Sequence, residues 1–134
     1  MRLARLRRSE RGLATVEAIL VVPLVLVPIL LAVVVFGRLE HTRLVVDAAA
    51  AAGARQAAVV GGDAQSVRER IAAELTDGGI DASRAVVLVE PTVAGWGEPI
   101  RVRVSISESA GIPFLGNWTV PLSGEFVTRS EVTP

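Results

Sequence analysis

The pattern of apolar and polar positions is dominated by one long apolar run near the N-terminus. Residues Ala18 to Phe36 form a stretch of nineteen residues without a charge, and Leu13 to Phe36 is 24 residues long. As a helix these 24 residues span ~36 Å, enough to cross a hydrocarbon core of ~30 Å. Pro23 and Pro28 are tolerated in a membrane helix. The run therefore predicts a transmembrane helix over residues 13–36.

An Ala-rich segment follows and predicts that the helix continues as a stalk over residues 37–60, ending at Gly61-Gly62. Ala49, Gly53 and Ala57 recur every four residues and so lie on one face. Small residues at this spacing let two helices approach closely, so this line is expected to pack against another helix. The alternative is that alanine is present only as a good helix former.

The pattern changes after residue 60 and predicts a small α+β domain over residues 61–134. Ser66 and Glu69 have capping-box spacing. Val67, Ile71 and Leu75 recur on one helical face, and the Gly78-Gly79 pair predicts the end of this second helix.

Three later segments predict a small antiparallel sheet. Their residues are Arg84 to Glu90, Ile100 to Ser107 and Trp118 to Thr128. The second alternates strictly, with Ile100, Val102, Val104 and Ile106 expected to face inward. The third loses its alternation at Gly124, which predicts a bulge, and Pro121 predicts an edge strand. The fold class is therefore α+β, with a long N-terminal transmembrane helix continuing as a stalk, a short helix and a three-stranded antiparallel sheet.

The connection from Gly111 to Gly116 is unusually apolar for a loop. Two interpretations remain open. Phe114 and Leu115 either close the end of the small core, or the loop contacts a partner or the lipid headgroups. The first interpretation is favoured.

Charge is distributed unevenly and indicates an orientation. Residues 1–12 contain five arginines and one acid, and the remainder of the chain is net negative. Positive flanks stay on the cytoplasmic side of a membrane helix. The N-terminus is therefore expected in the cytoplasm and the C-terminal domain outside it.

Composition argues against most catalytic chemistry. The chain has no cysteine and a single histidine, His41. Thiolate and His-cluster metal sites are thereby excluded, and the acids lack the spacing of a calcium loop. We expect no catalytic residues, no metal, no cofactor, no nucleic-acid partner and no small-molecule substrate.

Glu17 is out of place in a plain membrane anchor, because a carboxylate within a membrane helix costs about 2–3 kcal/mol at mid-depth. One interpretation is that Glu17 only decorates the positive end of the helix dipole. It also follows a basic run ending at Arg11-Gly12, and it lies five positions after Gly12. This combination resembles the processing site of type IV pilins. The resemblance implies cleavage between Gly12 and Leu13 by a prepilin peptidase, with Glu17 as the fifth mature residue.

The wider pattern resembles the TadE-like family of tight-adherence pilus assembly proteins. The resemblance covers roughly residues 7–58 and rests on Arg11-Gly12, Val16-Glu17, Pro23 and the Ala-rich helix. It implies a basic leader (residues 1–12), read through Arg7, Arg8 and Arg11, and a Glu17 that serves assembly with other pilin-like subunits. Major pilins of this system are short and carry Tyr after the Glu, whereas Ala18 follows here. A minor, pilin-like component is therefore implied.

Two other interpretations of the N-terminus are possible. A cleaved secretory signal is disfavoured because the apolar run is too long for one. An uncleaved single-pass anchor that displays an extracytoplasmic binding domain remains the alternative to the pilin-like function.

Overall fold

One helix makes up almost half of the chain in the computed structural model, which describes residues 3–112 and 116–133. Helix α1 spans Leu3–Val60, 58 residues, and contains both Pro23 and Pro28 without interruption. The predicted transmembrane helix and the predicted stalk are therefore one continuous element. The prolines leave individual carbonyls without an amide partner, but they do not end the helix.

A helical hairpin turns the chain back after α1. Gly61 and Gly62 have φ angles of 79° and 137°, and both amides donate to the Ala57 carbonyl, at 2.8 and 3.1 Å. Such positive φ angles are accessible to glycine at little cost. Helix α2 then spans Gln65–Asp77 and is followed by Gly78 and by Gly79, whose φ is 77°. The predicted glycine stops at both helix ends are confirmed.

The predicted capping box at Ser66 and Glu69 is wrong. The N-cap of α2 is Ala64, which has no side chain to accept an amide hydrogen bond, so Ser66 lies inside the first turn. Glu69 instead accepts from the Gln65 side-chain amide at 3.1 Å. The helix begins two residues earlier than a Ser66 cap requires.

Three antiparallel strands follow in the order β1-β2-β3. They span Val86–Glu90, Pro99–Ile112 and Gly116–Arg129. Strand β1 starts later than predicted because Ala82–Arg84 forms a 3-10 turn, in which the Asp81 side chain accepts from the Ser83 amide. Strand β3 is an edge strand, as Pro121 predicts. The α+β fold class is confirmed.

The bulge predicted at Gly124 is wrong. Pairing between β2 and β3 is unbroken from Pro99↔Arg129 to Ile112↔Gly116, and Gly124 lies opposite Val104. Glycine is required here for another reason. A Cβ on Gly124 would lie 2.9 Å from both the Val46 carbonyl oxygen and the Asp47 Cα. The backbone of α1 therefore passes directly over β3 at this residue.

The core lies between α1 and the sheet, with α2 packed alongside α1. The four residues of β2 expected to face inward are all buried, and so is the predicted stripe of α2. The C-terminal part of α1 contributes Val46, Ala49, Ala50, Ala54 and Ala57 to the same cluster. The segment predicted as a stalk thus supplies one side of the domain's core.

The apolar loop predicted over Gly111 to Gly116 is shorter in the structure. Gly111 and Ile112 belong to β2, and Gly116 begins β3. Pro113, Phe114 and Leu115 lie outside the described residues, so the predicted contacts of Phe114 and Leu115 stay predictions.

Candidate functional site

The N-terminal half of α1 carries the candidate membrane segment. From Ile19 the helix is long and apolar enough to cross a membrane, and none of the residues in its most apolar window is buried. Leu24 is 74% exposed and Val34 is 68% exposed. A contiguous exposed apolar surface of this extent is rare on a monomeric soluble protein, and in this helix it fits a single-pass membrane protein.

The residues predicted for processing lie on the same helix, one to two turns before its apolar part. Gly12 and Leu13 are within the helical backbone of α1, as are the leader arginines Arg7, Arg8 and Arg11. The side chains of residues 3–15 lie outside the described part of the structure. Glu17 is described and is exposed. Its carboxylate is therefore open to whatever surrounds the helix.

The line of small residues packs within the chain itself. Ala49 and Ala57 are fully buried. A Cβ on Gly53 would lie 2.5 Å from Ile71 Cγ1 of α2 and 3.4 Å from Val102 Cγ1 of β2. The helix that uses this space is therefore α2, and the line is covered in the folded domain.

A buried carboxylate lies where the domain meets the membrane segment. The Glu108 side chain is only 5% exposed, and each of its oxygens accepts from one arginine. Arg38 of α1 donates to Oε1 at 2.8 Å, and Arg84 donates to Oε2, also at 2.8 Å. A buried carboxylate is stable when it is paired and hydrogen-bonded in this way. Glu108 thus joins the part of β2 nearer the hairpin tip to α1 and to the turn before β1.

The sequence interpretation did not identify Glu108. A signal for it was present, because the alternation Ile100, Val102, Val104, Ile106 continues to position 108, which places an acid on the inward face. An inward acid at the end of a strand indicates a buried ion pair. Its partners lie 24 and 70 residues away in the chain, so spacing alone could not reveal them.

The region around Glu108 is a shallow cleft lined by polar groups. His41 Nε2 lies 3.2 Å from the Gly78 carbonyl oxygen, with which it forms a hydrogen bond. Hydrogen bonds from Ser83 hold the pKa of the Asp81 carboxyl below its usual range. Within residues 3–112 and 116–133, no group of three or more histidines and acids is arranged to hold a metal ion.

The outer face of the sheet carries a second charge cluster. Glu125 of β3 accepts from Arg103 Nε at 2.9 Å and pairs with Arg101 Nε at 3.3 Å. The hydrogen bond from Arg103 lowers the pKa of the Glu125 carboxyl, and the charges of Arg103 and Arg101 lower it further. This cross-strand cluster is solvent-exposed and stabilises the pairing of β2 with β3 only modestly.

Comparison with known proteins identifies one similarity. Residues 12–55 match the model of the TadE-like protein family, which confirms the family resemblance over most of α1. No curated protein and no solved structure matches the chain. The match suggests a pilus-related membrane protein.

Proposed function

We propose that this chain, whose membrane helix resembles the TadE-like family, is a minor pilin-like subunit of a tight-adherence pilus machine. Its precursor crosses the cytoplasmic membrane once, with the N-terminus in the cytoplasm and the domain outside. A prepilin peptidase cleaves it between Gly12 and Leu13. The observation that carries this proposal is the placement of Glu17 inside an apolar helix, five positions after the glycine of a basic leader.

The chemistry of assembly follows from two charges that are costly in a membrane. Cleavage creates an α-ammonium group at Leu13, and Glu17 lies one helical turn further along the chain. Each charge alone is unfavourable in a medium of low dielectric constant. When the ammonium of one subunit meets the carboxylate of a neighbour, the two neutralise each other. The pair thus favours association of helices and sets their axial stagger.

The exposure of α1 supports this use of the helix. Val16 is 57% exposed, Ile19 is 67% exposed, and Glu17 between them is also exposed. The domain core begins only at Thr42 and Val46, about 40 Å along the helix from Glu17. The segment around Glu17 is therefore available to neighbouring helices in the membrane, because the buried core of the domain lies further along α1.

The division of the chain follows from these roles. Residues 1–12 form the leader, whose arginines Arg7, Arg8 and Arg11 fix the orientation and are read by the peptidase. Residues 13–36 span the membrane. Residues 37–60 and 61–134 form the extracytoplasmic part. The partners are the membrane, the prepilin peptidase and other pilin-like subunits.

Intact-mass measurement of the protein extracted from membranes tests the processing step. In cells with an active prepilin peptidase, the mass should correspond to a chain beginning at Leu13. The Gly12→Leu variant should keep residues 1–12 because the bulky side chain blocks the cleavage position. A wild-type chain that keeps its leader in such cells would contradict the processing proposal and would favour the uncleaved anchor.

A pair of carboxylate variants tests the assembly role. Glu17→Gln should still insert into the membrane but should lose crosslinks to neighbouring pilin-like subunits, because the amide cannot neutralise an ammonium. Glu40→Gln is the matched control, since Glu40 is an exposed acid of the same helix beyond the apolar run. If both variants crosslink like the wild type, Glu17 has no part in assembly.

A further inference from the structure

The β2–β3 hairpin extends along α1 beyond the point where the apolar run ends. Val104 and its partner Gly124 lie beside Val46 and Asp47 of α1. From Val104 to Ile112 the strand rises ~26 Å, which corresponds to about 17 residues of helix. The described end of β2 therefore reaches down α1 past Phe36, to the level of Leu31 or beyond.

Burial along α1 supports this placement independently. Leu31, Val35 and Leu39 are half-buried and lie four residues apart on one face. Leu30 and Val34, on other faces at the same level, are 56% and 68% exposed. One stripe of the membrane segment is therefore covered, and it is continuous with the face of α1 that packs on β2 and β3.

The inward positions of the hairpin are suited to cover that stripe. Beyond Glu108, the next inward residues of β2 are Ala110, which is buried, and Ile112, which is half-buried. Glu108 is the last charged side chain before the tip, and Arg38 and Arg84 neutralise it. This ion-pair cluster thus marks the boundary between the uncharged half of the hairpin, nearer the tip, and its charged half.

The charge distribution along the hairpin is asymmetric in the same direction. Residues 109–124 contain no charged residue, whereas the opposite half carries Arg101, Arg103, Glu125 and Arg129. Trp118, opposite Ala110, is 48% exposed. Tryptophan is enriched where a membrane meets water, because its ring is apolar and its N–H is polar.

We propose that the described uncharged part of the β2–β3 hairpin, residues 109–112 and 116–124, lies in the outer interfacial layer of the bilayer, with Trp118 at the level of the lipid headgroups. The inference rests on the proposed membrane span of α1. The level of Leu31 is about 8 Å below that of Phe36, which matches the depth at which interfacial elements lie. Within residues 3–112 and 116–133, no further strand pairs with the outer edge of β3, so its free backbone groups keep the hairpin in the interface and out of the hydrocarbon core.

The two tryptophans of the chain provide a reporter and a control. Trp96 lies in the β1–β2 connection, two residues after Ala94, whose amide donates to the Gly61 carbonyl at the far end of α1. That end is ~37 Å from the level of Phe36. The Trp96→Phe variant leaves only Trp118 to fluoresce, and the Trp118→Phe variant leaves only Trp96.

The experiment reconstitutes each full-length variant into vesicles of phosphatidylcholine and phosphatidylglycerol that contain a headgroup-labelled nitroxide lipid. Trp118 should lose most of its emission and resist quenching by aqueous iodide. Trp96 should keep its emission and be quenched by iodide. Flotation of the vesicles on a density gradient is measured in parallel.

The outcomes separate this inference from the proposed function. If the protein floats with the vesicles but the nitroxide does not quench Trp118, the hairpin does not contact lipid and the inference is overturned. If the nitroxide quenches both tryptophans equally, the whole domain lies on the bilayer and the inference is again overturned. If the protein does not float, the membrane span itself fails, and the hairpin inference fails with it.

Discussion

The close approach of α1 to β3 gives a sharp prediction for Gly124→Ala. The added methyl group would lie 2.7 Å from the Asp47 side chain and 2.9 Å from the backbone of Val46 and Asp47. Overpacking typically costs about 1–3 kcal/mol, and the upper half of this range applies because backbone atoms cannot swing aside. Replacing glycine also reduces the conformational entropy of the unfolded chain, and this stabilisation offsets ~0.4–1 kcal/mol of the packing cost. We therefore expect a net destabilisation of roughly 1–2.5 kcal/mol.

Thermal unfolding of the full-length chain in detergent micelles measures this effect. Both tryptophans, Trp96 and Trp118, lie in the domain, so their emission reports its unfolding and not that of the membrane helix. For a domain of this size the expected loss lowers the Tm by roughly 5–15 °C. The control is Gly95→Ala, whose Cβ meets nothing closer than 3.7 Å. If Gly124→Ala and Gly95→Ala have the same Tm, the helix does not pass over β3 as described.

Two further predictions concern the core and the outer face of the sheet. Gly53→Ala should lower the Tm relative to Gly37→Ala in the same assay, because Ile71 occupies the space beside Gly53 while nothing lies within 4 Å of a Cβ on Gly37. Equal Tm values for the two variants would contradict the tight packing of α2 on α1. The hydrogen bond from Arg103 is the main cause that lowers the pKa of the Glu125 carboxyl in the folded state. The ionised carboxylate therefore stabilises the fold fully above the ordinary pKa of ~4.3, and this stabilisation is lost as the pH falls through the lower folded pKa. Urea midpoints measured from pH 7 down to pH 3 should therefore fall less steeply in Glu125→Gln than in the wild type, and parallel curves would show that the pair does not contribute.

Much of the fold could be predicted from the sequence because its patterns are local. The apolar run, the glycine pairs that end both helices and the alternation from Ile100 to Ile106 each depend on residues close together in the chain. Hydrophobic periodicity reports directly which face of an element is buried. The α+β class, the edge position of β3 and the stripe on α2 followed from such patterns.

The errors have a common physical cause, which is contact between distant segments. Gly124 interrupts the alternation of β3 because α1 lies against it, and no neighbouring residue indicates that helix. Gly53 and the alanines around it indicated packing against a helix, but they could not reveal that this helix is α2 of the same chain. The pairing of β2 with β3 also extends beyond Ser107, since backbone hydrogen bonds continue where the apolar alternation does not.

The candidate site was predictable in part for the same reason. Gly12, Leu13 and Glu17 are close in sequence, and their spacing with the basic leader carries the interpretation. The cluster of Glu108 with Arg38 and Arg84 is assembled from three separate elements. Its existence depends on the depth to which the hairpin descends along α1, which is a property of the folded chain.

The unbroken length of α1 links its apolar N-terminal half directly to the core of the C-terminal domain. From Glu17 to Ala58 the helix rises ~62 Å. At its far end the Ala58 carbonyl accepts a hydrogen bond at 2.9 Å from the amide of Glu131, in the segment after β3. A displacement of the membrane segment by one turn, ~5.4 Å, therefore lifts the last strand and the tail by the same amount. If the proposed membrane span is correct, the height of the domain above the bilayer reports the axial position of α1 in the membrane.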